Sequence, residues 1–167
     1  DSNYEPRLVD FAFAKSEINE NISQTVIGST DGGYTAYQAP EMLNGSDQYD
    51  GRVDLFAFGM LMFHVCTGTR PFGTMASFKI MREILSGKRP PIPDFIEPRL
   101  ANMIQDLWSQ DPNDRPEFLD ILKGLIDSDE PLFPFTDMNE YRQYREKILH
   151  STYFTPEDEE ILQAPAI

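Results

Sequence analysis

Apolar positions along the chain change period several times, and the changes mark out a row of helices. From Val53 onward, Leu55, Phe56, Phe58, Met60, Leu61, Met62, Phe63, Val65 and Cys66 leave hardly a polar face before Gly68. A helix that is apolar all round has to be buried, so this segment is expected to be the central helix of the domain. Asp54 falls in its first turn, where the helix dipole favours a carboxylate. Three amphipathic segments follow. Phe78, Met81, Ile84 and Leu85 stripe the first, which stops at Gly87. Leu100, Met103, Ile104, Leu107 and Trp108 give the second an i, i+3, i+4, i+7, i+8 stripe, with Pro98 near its start. Phe118, Ile121, Leu122, Leu125 and Ile126 stripe the third, for which Pro116 is the expected first position. Pro90, Pro91 and Pro93 predict an extended connection between the first two.

The two ends are patterned differently. Arg7-Leu8-Val9 fits a short strand, and Phe11-Ala12-Phe13-Ala14 alternates large and small side chains. Ser16 to Gly33 is polar and Gly-rich without a helical period, and predicts a long loop. Loops beyond ~12–15 residues in a compact domain are usually functional or disordered. Past Ile126, Asp127-Ser128-Asp129-Glu130-Pro131 marks a boundary. The chain therefore divides into 1–126 and an acidic C-terminal extension, 127–167. One further helix is expected over 137–149, with Met138, Tyr141, Tyr144 and Ile148 along one side.

Composition narrows the function classes. At 167 residues, 40% apolar and 25% charged, the chain can bury the core of one soluble domain. Its net charge of −14 argues against nucleic acid and against an anionic membrane surface as partners. The single cysteine, Cys66, leaves no intramolecular disulfide to form and fits a reducing compartment. Cys66, His64 and His150 are all expected to be structural, since their spacing suits neither a metal site nor a triad. No apolar run approaches the ~18 residues of a membrane span.

Several spaced motifs resemble those of the protein-kinase family. Asp10-Phe11-Ala12, between the predicted strand and the long loop, resembles the Asp-Phe-Gly motif. Ala39-Pro40-Glu41 closes that loop as Ala-Pro-Glu closes the family's activation segment. The run from Val53 to Gly59 resembles the start of helix F, and Thr67-Gly68-Thr69-Arg70-Pro71-Phe72 the turn that ends it. The stretch from Trp108 to Phe118 resembles the junction of helices H and I, and is most similar to the tyrosine-kinase-like (TKL) group of serine/threonine kinases. Any one motif is weak. Their shared order from Asp10 to about Ile126 is much harder to obtain by accident.

The resemblance implies a mainly α fold, the C-terminal lobe of a kinase domain that is α+β when intact. The activation segment would run over 10–41 and helices F to I over 53–126. Asp10 would be a Mg2+ ligand, because a hard cation on the phosphates of ATP takes carboxylate oxygens. The alternative for Asp10 is a turn residue capping its own backbone. Phe11 would report the active or inactive state, and Ala12 replaces a glycine whose backbone freedom alanine lacks. Ala12 either biases the loop or is simply tolerated. Glu41 and Arg115 would form the ion pair that ties the segment's end to the H–I junction, next to Trp108. Asp54 would hydrogen-bond the backbone of the catalytic loop.

Counting back from Glu41 puts Tyr34 where the family commonly has a threonine or serine, and a shift of one residue would restore Thr35. Ser23, Thr25, Ser29, Thr30 and Thr35 are loop hydroxyls, with Ser29 and Thr30 the favoured phosphosites; solvent-facing spacers are the alternative.

No stretch resembles the Gly-rich loop, the strand lysine or the His-Arg-Asp catalytic loop. The N-terminal lobe and catalytic loop are thus expected to be absent from this chain. No catalytic residue is expected within it, and alone it should be inactive. The first residue is Asp1, not methionine, which fits an intact protein that continues upstream with an ATP-binding lobe. That protein is expected to be a cytoplasmic kinase moving the ATP γ-phosphate to serine or threonine hydroxyls of protein substrates. The rival expectation is a pseudokinase or orphan C-lobe that binds proteins through its helix G region and tail. Apolar Leu8, Val9, Phe11 and Phe13, where such a module would have a polar cleft floor, favour the kinase.

Overall fold

The computed structural model describes residues 32–45, 49–127, 133 and 136–149. The chain divides into two units, Asp1–Thr30 and Asp31–Ile167, and every described residue lies in the second. The expected strand at residues 7–9 lies outside the described residues, as does nearly all of the loop. Among the described residues there are helices and no strand.

The elements are α1 (Gly32–Thr35), α2 (Pro40–Leu43), α3 (Arg52–Thr67), α4 (Ser77–Leu85), α5 (Pro98–Leu107), α6 (Phe118–Ile126) and α7 (Met138–Leu149), with a 3₁₀ turn over Pro112–Asp114 between α5 and α6. The loop expected up to Gly33 gives way to α1 already at Gly32.

α3 explains its own all-round apolarity by feeding two clusters. Phe56, Met60 and Phe63 join Ile80 and Ile84 of α4, Leu100 and Ile104 of α5, and Trp108. Leu55 turns the other way, onto Leu107 and Ile121. Full burial of each of these side chains contributes about 1.5–3 kcal/mol, so α3 is the pillar on which α4, α5 and α6 lean. Ala36 and Ala39 complete the first cluster, which lays the segment 32–45 against the same core, with α1 and α2 both touching α4.

α3 and α5 cross closely at Gly59. A Cβ there would stand 2.9 Å from Leu107 Cβ and 3.2 Å from the Trp108 backbone N. α3 ends at Gly68, whose φ of +65° is open to glycine and whose N–H donates to His64 O at 2.9 Å.

α5 begins at Pro98, and the Glu97 carboxylate accepts from the Leu100 N–H at 3.0 Å, supplying the cap. Pro116 is not the first residue of α6. It lies in an extended link, with Arg115 at φ −82°, ψ 135°, and the helix starts at Phe118 after Glu117. Glu117 is itself extended, at φ −73°, ψ 153°, so it takes the N-cap position and the helix begins one residue later. The tail helix α7 opens on Asp137, whose Oδ1 accepts from the Asn139 N–H at 2.8 Å and the Glu140 N–H at 3.2 Å. Tyr141 Oη donates to Leu125 O and Arg145 Nη1 to Ile126 O, fastening α7 to carbonyls at the end of α6 that no helical turn would satisfy.

Candidate functional site

Glu41 sits in the first turn of α2, immediately after Pro40 at a position where a missing N–H costs nothing. Arg115 follows the 3₁₀ turn. The turn is held by Asp111, whose Oδ1 accepts from both the backbone N–H and the side-chain amide of Asn113 at 2.9 Å. The backbone bond from Asn113 first, then its side-chain bond and the nearby Arg115 charge, hold the Asp111 carboxyl below the usual carboxylate range.

These two elements meet in a bidentate pair. Arg115 Nη1 donates to Glu41 Oε1 at 2.7 Å and Nη2 to Oε2 at 2.9 Å. The Arg115 side chain is 0% exposed and that of Glu41 16%, so the charges meet largely out of water. Arg115 also donates to Arg52 O at 2.7 Å and, through Nε, to Ser109 O at 3.1 Å. One guanidinium thus ties α2, the start of α3 and the end of α5 together, 74 residues apart in sequence at the widest. A fork of fixed geometry can satisfy all these acceptors at once, which a lysine could not.

A second, half-buried cation lies beside it. Arg89 donates through Nε to Trp108 O at 2.8 Å, through Nη1 to Ile84 O at 3.2 Å and Lys88 O at 2.8 Å, and through Nη2 to Gln110 Oε1 at 2.8 Å. Its charge centre lies 4.9 Å from the Phe56 ring, and that of Arg115 lies 5.3 Å away. Burial, with the Arg115 charge adding to it and Glu41 opposing, pushes the Arg89 pKa down to about 10. Arg89 stands between Lys88 and a proline run, where the sequence gives no periodic sign of burial. Trp108 packs its ring on Phe63 at 5.8 Å and is 5% exposed.

The rest of the segment is fixed by smaller contacts. Tyr37 Oη and His64 Nδ1 share a hydrogen bond of 2.8 Å that joins the segment to the last turn of α3. Burial raises the Tyr37 pKa, with the Arg70 charge opposing. Tyr34 is 50% exposed while Thr35 is 7% exposed, so Tyr34 is the outward-facing side chain and the Thr35 hydroxyl is withdrawn from the surface. Burial also pushes the Cys66 thiol up, away from a reactive thiolate.

Asp54 is exposed in the first turn of α3, and Leu61 and Val65, 48% and 70% exposed, fall on the same face at helical spacing. Asp10, Phe11, Ala12, Ser29 and Thr30 lie outside the described residues. Among the described residues no cluster of three His, Cys, Asp or Glu could hold a metal ion, and no helix is long and apolar enough to cross a membrane.

The family profile described as protein tyrosine and serine/threonine kinase matches residues 2–125. A probable serine/threonine-protein kinase of Dictyostelium discoideum is 33% identical over 124 residues, 73% of this chain and 13% of the relative. A putative serine/threonine-protein kinase/receptor of Acanthamoeba polyphaga mimivirus is 32% identical over 127 residues, 76% of this chain and 7% of the relative. A second probable serine/threonine-protein kinase of D. discoideum is 39% identical over 92 residues, 55% of this chain and 7% of the relative. The chain belongs to the protein kinase family. It spans 13% or less of the length of these relatives.

Proposed function

We propose that this chain is the C-terminal-lobe portion of a protein kinase domain of the tyrosine-kinase-like group. Its intact protein moves the ATP γ-phosphate to serine or threonine hydroxyls of other proteins in the cytoplasm. The observation that carries the reading is the buried Glu41–Arg115 pair, which fastens the segment ending at Ala39-Pro40-Glu41 to the helical core. A segment that positions a peptide has to keep its shape as substrates come and go, and a desolvated bidentate pair provides that. The exposed stripe of Asp54, Leu61 and Val65 suits a face that the catalytic-loop portion of an intact domain covers. The relatives' names support the serine/threonine assignment.

In this reading Asp10 holds Mg2+, for which a carboxylate is the fitting donor, and residues 13–38 gate and position the peptide. When bound, the ion neutralises the phosphate oxygens during transfer. Ser29 and Thr30 are the sites whose phosphorylation orders the segment through a cationic partner. A second reading, a non-catalytic protein-binding module, is favoured by one observation. Exposed Tyr34 stands where a small hydroxyl residue is usual.

The test is to incubate the intact protein with γ-labelled Mg-ATP and a mixture of serine, threonine and tyrosine peptides, then identify the labelled amino acids. Phosphoserine or phosphothreonine is the expected product. Phosphotyrosine would overturn the residue specificity, and no label from a folded protein would favour the binding module.

A further inference from the structure

The family profile ends at residue 125, yet the helix that lies past it is bound to the domain. Tyr141 Oη donates to Leu125 O, and Arg145 Nη1 donates to Ile126 O at 2.8 Å. The two donors stand four residues apart, so they share one face of α7. Met138 and Ile148 are half-buried as well, while Glu140, Arg142, Gln143, Tyr144 and Glu146 are exposed. α7 is therefore a strap laid by one face on the end of α6.

What the strap holds matters to the core. Leu125 packs against the cluster of Leu55, Leu107 and Ile121, and Ile126 is 7% exposed. The carbonyls of Leu125 and Ile126 are among the last of α6, which have no N–H to meet within their own helix. They also form the negative end of its dipole. The Tyr141 hydroxyl and the Arg145 guanidinium supply the missing hydrogens, while Lys123 and Asp127 pair at 3.1 Å in the same turn of α6.

The hold on Leu125 O depends on a single proton, that of the Tyr141 hydroxyl. A phosphate ester at Oη has no such proton, and hydrogen-bond contact leaves no room for a phosphorus atom between Oη and the carbonyl. The ester also brings a charge of about −1.5 to −2 to the negative end of a helix, where an anion is repelled. Arg145, one turn further along α7, is the cation at hand, and a charge-assisted bond to the phosphate draws it away from Ile126 O. Both bonds to α6 are then lost together.

We propose that Tyr141 is a phosphorylation site, and that its modification and the docking of α7 on α6 exclude one another. In the site of a tyrosine kinase the hydroxyl proton goes to that enzyme's base and a bond forms from Oη to the γ-phosphorus of ATP. The bond from that phosphorus to the bridging oxygen breaks, and ADP leaves. Tyr141 is half-buried, so α7 has to lift before the hydroxyl is reached, and the phosphate then keeps the helix from returning. The switch needs no catalysis by this chain, so its outcome is separate from that of the kinase reading.

The test is hydrogen exchange read by mass spectrometry on the full chain as wild type, as Tyr141→Phe, and with phosphotyrosine built in at position 141 or at position 144. Tyr144 is 51% exposed and serves as the control. Tyr141→Phe, which loses one hydrogen bond, is expected to speed exchange over 138–149 about two- to tenfold. Phosphate at 141 is expected to speed it at least about tenfold and to reach the last turn of α6, with residues 55–63 still protected. Phosphate at 144 is expected to leave α7 as in wild type. An added tyrosine kinase with Mg-ATP is expected to label both tyrosines of the full chain, Tyr141 the more slowly. Unchanged exchange in α7 with phosphate at 141, or equal effects of phosphate at 141 and 144, would overturn the proposal. So would a kinase that labels Tyr144 and leaves Tyr141 bare. Loss of protection over 55–63 with phosphate at 141 would overturn it too, because the phosphate would then unfold the domain instead of freeing the strap.

Discussion

Replacing Glu41 by glutamine removes one charge from the least hydrated ion pair described above and leaves the other in place. The Arg115 side chain is 0% exposed, so its cation cannot turn to water. It keeps Arg52 O, Ser109 O and the Phe56 ring, but loses bonds of 2.7 Å and 2.9 Å to a full negative charge. The substituted amide could offer one oxygen, while its NH2 would face a group that only donates. Breaking a buried pair from one side costs about 3–5 kcal/mol. Because Glu41 is 16% exposed, water softens the loss, and about 3 kcal/mol is expected.

Urea denaturation reads this directly, since Trp108 is the chain's one tryptophan and lies buried against Phe63. With a slope of ~1–3 kcal/mol/M, the midpoint should fall by about 1–3 M. Amide exchange should also rise first in residues 36–43, the part this pair pins. The double variant Glu41→Leu with Arg115→Met should recover only the part of the loss that comes from the orphaned charge, because it also takes the donor away from Arg52 O and Ser109 O. A midpoint unchanged within error in Glu41→Gln, with residues 36–43 still protected, would refute the claim that this pair holds the segment.

Three further outcomes are expected. Gly59→Ala should cost about 1–3 kcal/mol in the same denaturation, because its Cβ would stand 2.9 Å from Leu107 Cβ where α3 and α5 cross. Arg89→Lys should not preserve stability, since an ammonium cannot reach Trp108 O, Ile84 O and Gln110 together; a loss of about 1–3 kcal/mol is expected. Asp111 has a lowered folded-state pKa, so its contribution is complete above the ordinary carboxylate range and is lost as pH falls through the lowered value. Unfolding free energies of wild type and Asp111→Ala should therefore differ at neutral pH and converge in strong acid.

The helices α4 to α7 were legible because each carries a local period, and α3 because its apolar run leaves hardly a polar face: Leu100, Ile104 and Leu107 mark the buried face of α5 without help from the rest of the chain. The pairing of Glu41 with Arg115 was legible only through motif resemblance, as nothing local links residues 74 apart. Arg89 was not legible, because an arginine before prolines looks like an exposed connector until Trp108 O and Ile84 O are seen to need a donor. The one-turn helices α1 and α2 are too short to show a period, and Ala36 and Ala39 owe their burial to α4 and its neighbours. At Gly59 the sequence shows a glycine inside a helix, while the reason for it lies on α5.

The central claim, that this chain supplies the metal-binding and peptide-positioning part of a kinase, is tested most directly by one comparison. Mg-ATP-dependent phosphoryl transfer is measured for the intact protein and for its Asp10→Ala variant, with melting curves taken on both. The account predicts labelled serine or threonine from the former and loss of labelling from a variant that melts like wild type. Equal labelling by both would contradict it.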